Sequence, residues 1–167
     1  MSSTAIDAPS VEVGARVAGF DPDALIEAHG SPLYVYDAGV LRARAAALRA
    51  ALPEAVDIAF ACKATGSPAV LHTLADGGLG ADVASSGELR AVLRAGFDPA
   101  RIVFTGPGKT DAELTAAVEA GVGALTVESL EELEVVMMLA GRARPGQGLV
   151  LRLATEGEAE GLPIISA

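Results

Sequence analysis

The sequence predicts an α/β fold of consecutive strand–loop–helix units, and three observations carry that prediction. Short apolar runs rich in Val, Ile or Leu recur along the chain, at residues 56–62, 80–84, 101–105, 124–127 and 148–153. Amphipathic stretches long enough for two to three helical turns lie between them, so that strand follows strand at about 20 to 25 residues, the length of a β/α unit. Hydrophobic residues make up 51% of the chain and aromatic ones 4%, so the core has to be assembled from Ala, Val and Leu, as when helices cover a parallel sheet.

Taken in order, residues 1 to 18 show no persistent pattern and are expected to be flexible. Asp21 and Pro22 read as an N-cap and first-turn proline of a short helix that ends near His29, before Gly30. Residues 31–36, Ser-Pro-Leu-Tyr-Val-Tyr, should be extended, and Ala38 to Leu52 an Ala-rich helix with Arg42, Arg44 and Arg49 exposed. The repeat then begins with the strand at 56–62, and helices are expected over Ser67–Leu74, Gly87–Ala95, Asp111–Ala120 and Leu130–Ala140.

Three of these helices share a start signal: Ser85 precedes Glu88 by three residues, Thr110 precedes Glu113, and Ser129 precedes Glu132. Each pair is a capping box, in which the hydroxyl accepts from one orphan backbone N–H and the glutamate reaches back to another. Capping is therefore the first reading of the three glutamates, ahead of catalysis. Gly77, Gly96, Gly121 and Gly141 mark the far ends. The stretch 155–161, Thr-Glu-Gly-Glu-Ala-Glu-Gly, has no hydrophobic face and should be a loop.

A formal charge of −10 disfavours nucleic acid, which requires a basic footprint. No apolar run approaches the about 20 residues of a membrane span, and the N-terminus lacks the basic and apolar segments of a signal peptide. The expected location is cytoplasmic, with which the single Cys62 is compatible.

Thr105-Gly106-Pro107-Gly108-Lys109-Thr110 ends like a phosphate-binding P-loop, but Val103 stands where that motif needs its first glycine. The cluster Gly77-Gly78-Leu79-Gly80 has Val83 where a third dinucleotide-binding glycine would fall, and it precedes a strand instead of following one. His29 and His72 are far apart with no partner at metal-ligand spacing, so no metal site is expected; His29 should cap a helix C-terminus and His72 lie on a helix surface or partly in the core.

One residue stands out chemically. Only two lysines occur against ten arginines, and Lys63 closes the apolar run that ends Phe60-Ala61-Cys62-Lys63. Arginine stays protonated, whereas a lysine in a dry pocket can lose its proton and condense with a carbonyl. The competing reading is that Lys63 lifts its ammonium from the strand end into solvent.

The run 60–64, Phe-Ala-Cys-Lys-Ala, is followed by 78–89, Gly-Leu-Gly-Ala-Asp-Val-Ala-Ser-Ser-Gly-Glu-Leu, then by Ala95-Gly96-Phe97 and by 127–133, Val-Glu-Ser-Leu-Glu-Glu-Leu. In this order, with the Tyr34-Val35-Tyr36-Asp37 entry, the chain resembles over residues 32–153 the N-terminal barrel portion of the fold-type III pyridoxal-phosphate-dependent decarboxylases, the ornithine, diaminopimelate and arginine decarboxylase group. The resemblance implies an alanine racemase-like (β/α)8 barrel of which about five of eight strands are present. It implies that Lys63 is the catalytic lysine forming the internal aldimine with pyridoxal 5'-phosphate, that Ala61 is a small residue beside the cofactor, and that Asp82 is an acid near the lysine. Arg152, from the fifth strand, matches a basic residue that pairs with Asp82.

Three segments follow from this: 1–30, a flexible N-terminus and short helix; 31–153, a partial cofactor-binding barrel; and 154–167, an acidic tail. The implied reaction is decarboxylation of a small amino acid by a homo-oligomeric enzyme, with the cofactor as electron sink. The ring-nitrogen carboxylate, the phosphate-binding glycine loops and the stacking histidine of that family come later than the strands present here. The chain is accordingly expected to be a fragment, a half-barrel completed by another chain, or a remnant, and to be inactive alone. The alternatives are a racemase-like or other pyridoxal-phosphate-binding protein, and a non-catalytic partner or regulator of a full-length homologue.

Overall fold

A computed structural model describes residues 16–153. Residues 1–15 and the acidic stretch 155–161 lie outside the described residues, as do the expectations placed on them. The chain divides into two compact units, one ending at Asp37 and the other beginning at Ala38. In the first, a tight turn joins Val17 to Phe20, and helix α1 spans Pro22–His29. The Asp21 carboxylate accepts from the Asp23 N–H, and Gly30, at φ 83°, donates its N–H to the Ile26 carbonyl. Both ends of this helix are as the sequence predicts. Residues 31–37 form no regular element.

The second unit holds helix α2 (Ala38–Ala51) and then alternates strictly: β1 (Ala59–Ala61), α3 (Pro68–Asp76), β2 (Gly80–Val83), α4 (Ser86–Ala95), β3 (Ile102–Phe104), α5 (Asp111–Ala120), β4 (Ala124–Val127), α6 (Leu130–Leu139) and β5 (Gly148–Leu151). Short 3-10 turns sit at Cys62–Ala64, Pro99–Arg101 and Ala140–Arg142. All five strands are parallel and lie in the order β1-β2-β3-β4-β5. Such an order never reverses, so successive right-handed crossovers put every helix on the same face, as in the wall of a barrel and unlike a doubly wound sheet.

Alternation along the strands confirms it. Ala81, Val83, Ile102, Phe104 and Leu125 point to the helix side, where they form one core with Leu71, Leu74, Leu89, Val92, Leu114, Ala117 and Val118. The intervening residues Ala59, Ala61, Asp82, Val103 and Ala124 therefore face the other side.

Register is set by close approach at the strand starts. A Cβ on Gly123 would stand 2.1 Å from the Ala100 carbonyl oxygen, and one on Gly80 would stand 2.3 Å from that of Arg101. Only glycine lets neighbouring backbones meet there.

Two expectations change in detail. The strand expected over 56–62 shrinks to Ala59–Ala61, because β1 borders β2 alone and is less buried than the strands inside the sheet. Of the three capping boxes, only Thr110–Glu113 is complete. Ser85 and Ser129 accept from the Glu88 and Glu132 N–H groups, but these glutamates reach one residue further back, to the N–H of Ala84 (2.7 Å) and of Glu128 (2.9 Å). Both serines are fully extended, with φ −155° and −146° against −74° at Thr110, which turns their own N–H away. Gly96 and Gly121 end their helices in the left-handed conformation, Gly78 takes the positive φ expected near Gly77, and Gly141 falls inside a 3-10 turn. No helix among the described residues is long and apolar enough to cross a membrane.

Candidate active site at the carboxyl edge of the sheet

The carboxyl ends of parallel strands converge on one edge of the sheet, and the predicted site residues lie there. Ala61 is the last residue of β1 and is paired in register with Asp82 of β2. Lys63 follows on the Cys62–Ala64 turn, which closes when the Thr65 N–H donates to the Cys62 carbonyl (3.2 Å). The chain leaves the sheet at Cys62, so Lys63 stands exposed on the turn and not in a buried strand end. Cys62 takes the helix side, as alternation requires, and is buried in the core. Burial pushes its thiol up to about 11, with the charges of Glu88 and Asp82 adding to the effect.

Asp82 is half-buried and accepts a hydrogen bond from the Thr105 hydroxyl (2.7 Å) at the end of β3. Arg152 follows β5, and its Nη1 lies 3.4 Å from Glu128 Oε2, just past β4. The expected pair between Asp82 and Arg152 is thus replaced by two shorter connections. Each group takes a partner on the adjacent strand, one spacing of about 4.8 Å away, in preference to one three spacings off. Neither Thr105 nor Glu128 is an expected site residue.

Between them the β3–α5 loop, residues 105–110, is held from three directions. Glu128 Oε1 accepts the Gly106 N–H (2.9 Å), and Glu132 Oε1 accepts the Lys109 N–H (3.1 Å). The Lys109 ammonium meets Glu132 Oε2 (2.9 Å) and donates to the Gly106 carbonyl (2.6 Å). The side chains of this pair are 1% and 7% exposed. Burial pushes the Glu132 carboxyl up, but hydrogen bonds from the Glu128 N–H and from Lys109, with the Lys109 charge, outweigh it and hold the group below the usual carboxylate range. Glu113 also lies below that range, chiefly through the N–H groups of Ser86 and Thr110. The loop that resembles a P-loop in sequence therefore uses its lysine as an internal tie.

The site chemistry suits an aldehyde cofactor. Lys63 offers a primary amine, and the inward residues Ala59, Ala61 and Gly80 on β1 and β2 leave the sheet floor nearly flat, with Asp82 fixed beside them. A singly wound parallel sheet of five strands alternating with helices defines the class, the portion of a β/α barrel. Comparison with known proteins gives the family: residues 38–167 match the pyridoxal binding domain of the pyridoxal-dependent decarboxylases, and the chain belongs to that family.

Diaminopimelate decarboxylase of Aquifex aeolicus is 37% identical over 142 residues, covering 85% of this chain and 34% of that protein. The enzyme of the same name from Zymomonas mobilis is 41% identical over 129 residues, 75% of this chain and 31% of its own. Among solved structures, an Aquifex aeolicus protein superposes with a TM-score of 0.75 at 36% identity, covering 85% of this chain and 36% of that one. The Vibrio vulnificus lysine/ornithine decarboxylase complexed with putrescine gives a TM-score of 0.64 at 31% identity, covering 77% and 37%. The five strands and their helices thus match the barrel portion of decarboxylase structures, and the chain spans about a third of the length of these relatives.

Proposed function

We propose that this chain is the lysine-bearing part of a pyridoxal-phosphate-dependent amino-acid decarboxylase, with Lys63 as the residue that bonds covalently to the cofactor aldehyde. The observation that carries the reading is the position of the only exposed lysine, at the carboxyl edge of the sheet and one turn from a floor of small residues. Lys109, the other lysine, is buried in an ion pair and is unsuited to the role. Ala61 would leave room for the ring, and Asp82, oriented by Thr105, would supply a negative charge near the amine. Arg152 would present a cation to the same mouth.

When bound, the cofactor supplies an electron sink for cleavage at the substrate's α-carbon. The chain's own residues would hold it by its aldehyde and keep the acid and base in place. Two of the relatives named above are diaminopimelate decarboxylases and one is a lysine/ornithine decarboxylase, so diaminopimelate is the first substrate to test in a longer protein carrying this domain, with lysine, ornithine and arginine beside it.

Mixing the chain with pyridoxal phosphate, trapping with borohydride and mapping the product by mass spectrometry tests the assignment. The label should fall on Lys63 and vanish in Lys63→Arg, since a guanidinium does not serve as the carbonyl nucleophile. Equal labelling of Lys109 or of the N-terminal amine, or none on Lys63, would overturn it. Carbon dioxide release from the four amino acids should be negligible for residues 1–167.

A further inference from the structure

Arg152 is poorly constrained by its own strand. Its backbone N–H donates to the Val127 carbonyl (3.0 Å), but its side chain is 65% exposed and leaves β5 as a long, rotatable arm. A cation held this way samples many rotamers and is a weak partner for anything bound nearby. What limits it is Glu128, whose side chain is only 13% exposed.

Glu128 is anchored from two sides. Its N–H donates to Glu132 Oε2 (2.9 Å), inside the Lys109 tie, and its Oε1 accepts the Gly106 N–H (2.9 Å). The remaining oxygen, Oε2, faces the Arg152 guanidinium at 3.4 Å. The carboxylate is therefore fixed before Arg152 arrives, with one oxygen used for the loop and the other turned to the arginine. An amide oxygen in its place would still accept the Gly106 N–H, though less strongly than a carboxylate, but would offer no charge to Arg152.

We infer that Glu128 is a positioning residue for the cofactor site, acting through Arg152 by restricting where its guanidinium points. The inference rests on the pyridoxal-phosphate reading above and adds to it a residue that touches neither cofactor nor lysine. Glu128→Gln is the informative change, since it keeps an acceptor for the Gly106 N–H and removes the charge that holds Arg152.

Four forms of the chain decide the matter: wild type, Glu128→Gln, Arg152→Met and the double variant. Each is titrated with pyridoxal phosphate, the affinity being read from the imine absorbance and the adduct confirmed at Lys63 by borohydride trapping. Thermal midpoints are measured in parallel. Glu128→Gln should weaken cofactor affinity about fivefold, as expected for an ion pair of roughly 1 kcal/mol, and do so with little change in midpoint. In the Arg152→Met background the same change should have no effect on affinity, because its route of action is gone. An undiminished effect of Glu128→Gln without Arg152, or none with it, would overturn the inference while leaving the cofactor reading intact. A wild-type chain that forms no adduct at Lys63 overturns both.

Discussion

Lys109→Met removes one half of an ion pair whose side chains are 1% and 7% exposed. Glu132 would keep two donors, the Lys109 N–H at 3.1 Å and the Glu128 N–H at 2.9 Å, but would lose its neutralising charge. Breaking a buried pair from one side costs about 3–5 kcal/mol, and the surviving backbone donors place the expected loss near the lower end, about 3 kcal/mol. Glu132→Gln strands the ammonium with the Gly106 carbonyl as a neutral partner, and should cost a similar amount. The double variant contains neither charge, so its loss should fall short of the sum of the singles by about 2 kcal/mol or more. Urea unfolding followed by far-UV circular dichroism measures all three. The pH dependence adds a sign. A carboxyl held below its ordinary 4.5 in the folded state stabilises the fold above the unfolded value, and that contribution is lost as pH falls through the lowered one. The deficit of Glu132→Gln should therefore be full at neutral pH and shrink in acid. Additive single losses, or a Lys109→Met cost under about 1 kcal/mol, would show that the pair behaves as a solvated surface bridge and not as the tie that holds the loop.

Gly123→Ala should destabilise by about 2 kcal/mol or more, because the new Cβ would meet backbone atoms of Ala100 at 2.1 and 2.8 Å, whereas Gly141→Ala, with nothing within 4 Å, should leave the melting midpoint nearly unchanged. Cys62 should resist iodoacetamide at pH 8 and react once the chain is unfolded in urea, its thiol being pushed up to about 11 by burial and then by Glu88 and Asp82. Thr105→Val removes the donor to Asp82 and should cost about 1 kcal/mol in a urea titration, while Thr105→Ser should restore most of it.

The unit structure is legible because each interior strand carries a short, mostly apolar run. The strand expected over 124–127 is observed over those residues, and the ones expected over 80–84 and 101–105 appear at 80–83 and 102–104. The sequence overextends the first strand because Val56 reads as part of the apolar run without lying in the sheet. For the candidate site the sequence offers residue type alone, a rare lysine just past a strand end. Partnerships between polar groups depend on register, and here register is imposed by glycines where backbones touch, so nothing about Asp82 itself announces Thr105. One signal does span the distance. Thr105 and Asp82, Lys109 and Glu132, Arg101 and Gly78, and Arg144 and Gly121 are each 23 residues apart. Strands β1 to β4 pair at a step of 21 residues, so Thr105 lies two positions beyond Val103, the registered partner of Asp82, on the same side of the sheet, and the hydrogen bond spans that offset. Aligning the chain on itself at that spacing sets Lys109 against Glu132 and Thr105 against Asp82 without coordinates. A step of 24 sets Glu128 against Arg152, because the fourth unit is longer than the third and its register shifts accordingly.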